Sequence, residues 1–244
     1  MKNVVYIFSD ELRQDAVGCY GNSAGIMKTP NIDSIASRGV MYQNCFCNSP
    51  VCLPSRVSLL TGLYPEDTAA YDNEAAVPTF HMPVQVTTFP EVLADAGYAT
   101  ANFGKTHVTP DMHPFQLDVP NGSEMHLGLT QQEIRNLPRI KPRQGISMNV
   151  ASLYPSEIEF YYPETVTRNA VSWLKEQSKE KDPFFLRVSY TQPHSPIILK
   201  RGYELLYKDY PFDDQLPDIS RLSEFEQALA AAVRLDTLTP EEIR

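Results

Sequence analysis

Strand-like runs alternate with helix-like runs along this chain, which predicts an α/β domain with a mostly parallel sheet. Two observations carry that reading. The runs "NVVYIF" and "FFLRVSY" are short, apolar and rich in β-branched or aromatic residues, as buried parallel strands are. Polar or glycine-bearing turns follow them, and capped helical patterns lie between. The 244 residues, 42% apolar and 21% charged, suffice for a sizeable core in one large domain or two small ones.

The elements follow in order. Residues 3–8 predict a first strand ending at Ser9-Asp10. "TPNIDSIASRG" (29–39) predicts a helix with Thr29 as N-cap, Pro30 in the first turn and Gly39 as the stop. "VMYQNCF" (40–46) predicts a strand, and a helix begins near Cys52 that Thr61-Gly62 closes. Thr88 and Glu91 have capping-box spacing for a helix that Gly97 ends, and "YATANF" predicts a strand closing at Gly104. From residue 162 a longer helix carries Val166, Ala170, Trp173 and Leu174 on one stripe, followed by a strand over 184–190 and a turn holding His194. Residues 64–87 and 108–161 are Pro-rich and weakly periodic, and read as long loops within a single domain over 1–244.

Composition excludes several function classes. A net charge of −9 argues against non-specific nucleic-acid binding, which needs a basic footprint. The cysteines (Cys19, Cys45, Cys47 and Cys52) form no CxxC pair and no disulfide ladder, and the first three read as structural thiols. No apolar run approaches the roughly 20 residues of a membrane span. The first residues lack the apolar core and cleavage site of a secretory signal, so a chain starting natively at Met1 is expected in the cytoplasm.

Asp10, Lys105 and His194 each fall at or just beyond the carboxyl end of a strand, and Cys52 follows after a short loop. In open α/β sheets that edge is where ligands bind. Around the cysteine the chain reads "SPVCLPSRVSLLTG". A cysteine-phosphatase loop would need an arginine six residues after the cysteine, but Ser58 stands there and Arg56 comes at the fourth. The window Cys52-x-Pro54-Ser55-Arg56-x-x-x-Leu60-Thr61-Gly62 instead resembles the sulfatase signature.

That resemblance implies an alkaline-phosphatase-like three-layer α/β sandwich and a cysteine oxidised to formylglycine by a maturation enzyme. It implies hydrolysis of a small-molecule or saccharide sulfate ester with a divalent cation, Ca²⁺ or else Mg²⁺ or Mn²⁺. Carried onto this chain, it makes the oxidised Cys52 nucleophile and metal neighbour, with Arg56 holding its hydrate. "FSDE" resembles the family's acidic metal-binding element, which makes Asp10 and Glu11 metal ligands. "GKTH" resembles its Gly-Lys-x-His element, so Lys105 would bind sulfate oxygens and His107 would act as a base. "QPHSP" resembles its Pro-His-x-Pro turn, which puts His194 at the leaving group.

The resemblance spans nearly the whole chain but lacks the family's later acidic metal pair and second lysine; Asp72-Asn73 follows Cys52 too closely to be that pair. The sheet is accordingly expected to be incomplete at the C-terminus, the chain to be a truncated portion, its metal binding to be weak, and these 244 residues alone not to turn over sulfate esters. A phosphonate monoester or phosphodiester hydrolase with the same machinery, or a non-catalytic fragment, are the competing readings. His81, His113 and His126 are expected in loops, as is the basic run Arg135, Arg139, Lys141 and Arg143.

Overall fold

The structure, a computed structural model, describes residues 2–21, 27–120, 151–153, 161–194, 197–200, 202–207, 209 and 218–232. The chain divides into two compact units: Met1–Glu124 with Tyr162–Pro193, and Met125–Tyr161 with His194–Arg244. Among the described residues the strands are β1 (Val4–Asp10), β2 (Ala99–Gly104), β3 (Leu117–Val119), β4 (Ala151–Leu153), β5 (Phe184–Pro193) and β6 (Ile197–Leu199). The α-helices are α1 (Pro30–Ala36), α2 (Cys52–Thr61), α3 (Pro65–Thr68), α4 (Phe89–Asp95), α5 (Tyr162–Gln177) and α6 (Glu224–Ala232).

The first unit is built on a sheet of order β1-β5-β2-β3, parallel at every junction. Consecutive residues of a strand face opposite sides, and β5 shows the consequence. Phe185 meets Phe89 edge-on at 5.1 Å and stacks with Phe115 at 6.2 Å, whereas Phe184 meets Trp173 of α5 at 5.6 Å. One face thus supports α2 and α4 and the other supports α5, giving three layers. The core on the α2 side joins Leu53, Val57, Leu60, Ala70, Ala75, Met112, Phe115 and Phe185. On the other side Val166 and Ala170 are buried, and Trp173 lies 6.3 Å from Phe103.

Local chemistry accounts for the helix ends. The Glu91 carboxylate accepts from the Thr88 N–H at 2.7 Å and from its hydroxyl at 2.6 Å, the capping-box arrangement. Gly62 ends α2 at φ +74, in the left-handed region glycine adopts without strain. Thr29 differs from its predicted role. Its Oγ1 accepts from the Gly18 N–H at 2.8 Å and donates to Asp33 at 3.0 Å, so it ties α1 to the preceding turn instead of capping α1.

The strand predicted over 40–46 does not form. Tyr42 and Phe46 lie in solvent, and no described strand runs alongside them. Aromatic and β-branched composition favours a pleated surface only where a neighbouring strand pairs with it. Within 64–87 the structure has α3 and a 3-10 turn over Asn73–Ala76, with Thr68, Ala70 and Ala75 buried. Much of 108–161 lies outside the described residues, including His126 and the basic run at Arg135, Arg139, Lys141 and Arg143. In the second unit β4 and β6 form a parallel pair, and the Tyr161 hydroxyl donates to the carbonyl of Ile198 at 3.4 Å. No helix among the described residues is long and apolar enough to cross a membrane.

Candidate active site at the carboxyl ends of β1 and β2

Cys52 opens α2, and the N–H groups ahead of Ser55, whose own N–H bonds the Val51 carbonyl at 3.0 Å, have no partner within the helix. The Asn73 side-chain carbonyl takes one of these, the N–H of Leu53, at 3.0 Å. Pro54 has none to offer and fits the first turn. This seating places the Cys52 thiol 3.7 and 3.8 Å from the two carboxylate oxygens of Asp10, the last residue of β1. The β1–β5 register shifts between Ser9 and Asp10, so that Asp10 lies opposite Pro193.

Three charged side chains are buried here, which demands compensation. Asp10 is 7% exposed, Arg56 1% and Lys105 5%. Lys105 Nζ lies 2.8 Å from Asp10 Oδ2 and Arg56 Nη2 lies 3.3 Å from the same oxygen. Arg56 Nη1 donates to the carbonyl of Lys105 at 2.9 Å and to Ser189 Oγ at 3.0 Å, and the guanidinium sits 4.8 Å from the centre of the Phe8 ring. Its Nε and Nη2 make no hydrogen bond to a described residue. The two cations thus converge on a single carboxylate and keep buried N–H groups in reserve, an arrangement that suits an incoming anion. Beneath the cluster, burial raises the Tyr6 phenol above its ordinary pKa, opposed by the positive fields of Arg187 and Arg56.

The backbone after β2 is tightly constrained. Gly104 has φ +99, and a Cβ there would stand 2.0 Å from the carbonyl oxygen of Ser189. Only glycine lets β2 pass so close to β5. The Lys105 N–H donates to that same carbonyl at 3.0 Å. His107 follows two residues later at φ +44, uncommon for a residue with a side chain.

The structure therefore brings together Asp10, Cys52, Arg56 and Lys105, and sets His107 on the same turn as Lys105. Glu11 is exposed at φ +59, just past β1. His194 follows the last residue of β5 and belongs to the second unit. His81 is largely exposed, its Nδ1 3.0 Å from Asp111, which together with the Met82 N–H holds the Asp111 carboxyl below the usual range. Sequence reasoning missed Ser189, Asn73 and the fully buried Arg187. The signal available for Arg187 was an arginine inside an otherwise apolar strand, which has to be buried and paired.

Comparisons with known proteins agree with this architecture. The sulfatase family model matches residues 2–236. An uncharacterized sulfatase, YidJ, of Escherichia coli (strain K12) is 28% identical over 86% of this chain and 42% of its own length. The iduronate 2-sulfatase of Mus musculus is 29% identical over 84% of this chain and 37% of its own. The chain thus spans about two fifths of these relatives, 42% and 37% of their length. Among solved structures, the phosphonate monoester hydrolase of Agrobacterium radiobacter superposes with a TM-score of 0.64 at 20% identity, over 99% of this chain and 51% of that one, a likeness of fold. The fold is the α/β, alkaline-phosphatase-like sandwich with a parallel sheet, and the chain belongs to the sulfatase family.

Proposed function

We propose that this chain carries the nucleophile-bearing part of a formylglycine-dependent sulfatase site that hydrolyses sulfate monoesters, with saccharide sulfates as the substrate class. The observation that supports it most is the convergence of buried Arg56 and Lys105 on Asp10 beside Cys52, at the mouth of a helix. A unit charge about 4 Å from a sulfate oxygen contributes roughly 4 kcal/mol at an effective dielectric of about 20. A helix N-terminus adds only about 0.3–1 kcal/mol. The two cations therefore dominate anion binding, and α2 orients it. The likeness to an iduronate 2-sulfatase supports the saccharide class.

The formylglycine that a maturation enzyme would make from Cys52 would supply, as its hydrate, one hydroxyl to attack sulfur with departure of the alcohol, and a second whose deprotonation would restore the aldehyde and expel sulfate. Arg56 would donate to the hydroxyl oxygens on residue 52 from Nε, which makes no hydrogen bond to a described residue, and from Nη2, which lies 3.3 Å from Asp10 without a hydrogen bond to it. Lys105 would exchange part of its pairing with Asp10 for a sulfate oxygen, as a mobile point charge can. His107 would take the proton from the residue-52 hydroxyl, and His194 would deliver one to the leaving oxygen. Asp10 would also be a ligand for a divalent cation. Its buried carboxylate, with Glu11 next in sequence, fits Ca²⁺ or Mg²⁺ or Mn²⁺ in donor type. Such a cation would add positive charge beside the nucleophile.

The test is hydrolysis of para-nitrophenyl sulfate against a para-nitrophenyl phosphonate ester by the whole protein that carries this part of the site, co-expressed with a formylglycine-generating enzyme. Preferential sulfate hydrolysis that Cys52→Ala abolishes is the expected outcome. Faster phosphonate hydrolysis, or unchanged activity in Cys52→Ala, would overturn the reading.

A further inference from the structure

Asn102, Asp118 and Arg187 stand in one row across three adjacent strands, because Asn102 of β2 is in register with Asp118 of β3 and with Arg187 of β5. Their side chains form a directed chain. Arg187 Nε donates to Asn102 Oδ1 at 2.7 Å, Asn102 Nδ2 donates to Thr106 Oγ1 at 3.0 Å, and Thr106 Oγ1 donates to Asp118 at 2.9 and 3.0 Å. Asn102 Nδ2 also reaches Asp118 at 2.8 Å and the Gly104 carbonyl at 3.1 Å. Arg187 makes a second connection, from Nη2 to the Lys105 carbonyl at 3.2 Å. That carbonyl already accepts from Arg56.

We infer that Thr106 and Asp118 are positioning residues that clamp the Gly104–His107 turn to the sheet and so aim Lys105 and His107 at the anion; this rests on the proposed sulfatase reading. The turn needs a clamp. It runs between left-handed residues, Gly104 and His107, and a non-glycine residue in that region is held there only when its surroundings over-determine it. The two guanidiniums fix the Lys105 carbonyl from one side, and the Thr106 hydroxyl fixes the next residue from the other. Thr106 is 7% exposed, so its hydroxyl is held within the protein. Its single proton goes to Asp118 and one of its two lone pairs accepts from Asn102, so the hydroxyl is engaged both as donor and as acceptor. A displacement of the turn by an ångström would carry both Lys105 and His107 off target, because they flank Thr106.

Thr106→Val keeps the shape and removes the hydroxyl, whereas Thr106→Ser keeps the hydroxyl and removes a methyl. A packing role would make serine the worse variant, and a clamping role would make valine the worse. In matured protein assayed on para-nitrophenyl sulfate, we expect Thr106→Val and Asp118→Asn to lower kcat about tenfold with KM within about twofold, and Thr106→Ser to stay near wild type. The imidazole resonances of His107 at fixed pH give a readout independent of turnover, and should move in the first two variants and not in the third. If Thr106→Val does not fold, Asp118→Asn on β3 decides by the same two readouts. Should wild type lack sulfatase activity while the His107 resonances respond this way, the function reading falls and the clamp stands. Valine or asparagine variants matching wild type in both readouts, or serine harming more than valine, would overturn the clamp.

Discussion

Two regions of the first unit invert the usual partition of residues. At the carboxyl ends of β1 and β2, Asp10, Arg56 and Lys105 are sealed from water. Residues 40–46 do the opposite, with Val40 79% and Phe46 88% exposed, and Ile7 on β1 is 57% exposed. Buried charge and exposed apolar surface are the two informative departures from ordinary globular packing. They differ in what holds them. The charges are fixed by mutual pairing and by hydrogen bonds to Ser189 and the Lys105 carbonyl, so removing one member leaves the others uncompensated. The exposed side chains have surrendered little to water that a polar residue would not also surrender. Sequence change should therefore be felt strongly in the first region and weakly in the second.

The largest effect is expected from Arg56→Ala. It strips Asp10 of one cation, takes the Arg56 hydrogen bond from Ser189 Oγ and leaves the Lys105 carbonyl with Arg187 in place of two guanidiniums, and urea unfolding should show a loss of about 3–5 kcal/mol. A loss below about 1 kcal/mol would mean that the pairing is not what stabilises this edge. Gly104→Ala comes next, at about 1–3 kcal/mol by the same measurement, because its Cβ would meet the Ser189 carbonyl in a left-handed conformation. Lys105→Met keeps the bulk and removes the charge. Titration calorimetry with inorganic sulfate should show affinity falling by about tenfold or more, the worth of a charge-assisted hydrogen bond. The smallest effects belong to Phe46→Ser and Ile7→Thr, each within about 0.5 kcal/mol of the parent. Core-sized losses at these positions would show that they are covered, and would break the comparison.

Much of the fold was legible because local signals and tertiary demands agree. The apolar runs became β1 and β5, though only β5 is buried as expected and β1 leaves Val4, Val5 and Ile7 exposed; the Thr88–Glu91 spacing and the stop at Gly62 each have one cheap structural solution, and the chain adopts it. Residues 40–46 show the limit, since strand composition does not reveal whether a pairing partner stands alongside. Thr29 shows another: a capping residue type is recognisable, but not that its hydroxyl will serve Gly18. At the site, Cys52, Arg56 and Asp10 could be singled out from motif spacing. The supporting set could not. Arg187, Asn102 and Asp118 come together through strand register, which single-sequence patterns leave undetermined, and Asn73 reaches α2 through a loop.

The central claim is that Cys52 is the precursor of the nucleophile within this anion-binding cluster. Peptide mass spectrometry of the Cys52 peptide, on protein co-expressed with a formylglycine-generating enzyme and shown to hydrolyse para-nitrophenyl sulfate, tests it most directly. The account predicts the mass of a formylglycine, with the thiol replaced by an aldehyde. An intact Cys52 thiol throughout a preparation that turns over the sulfate ester would contradict it.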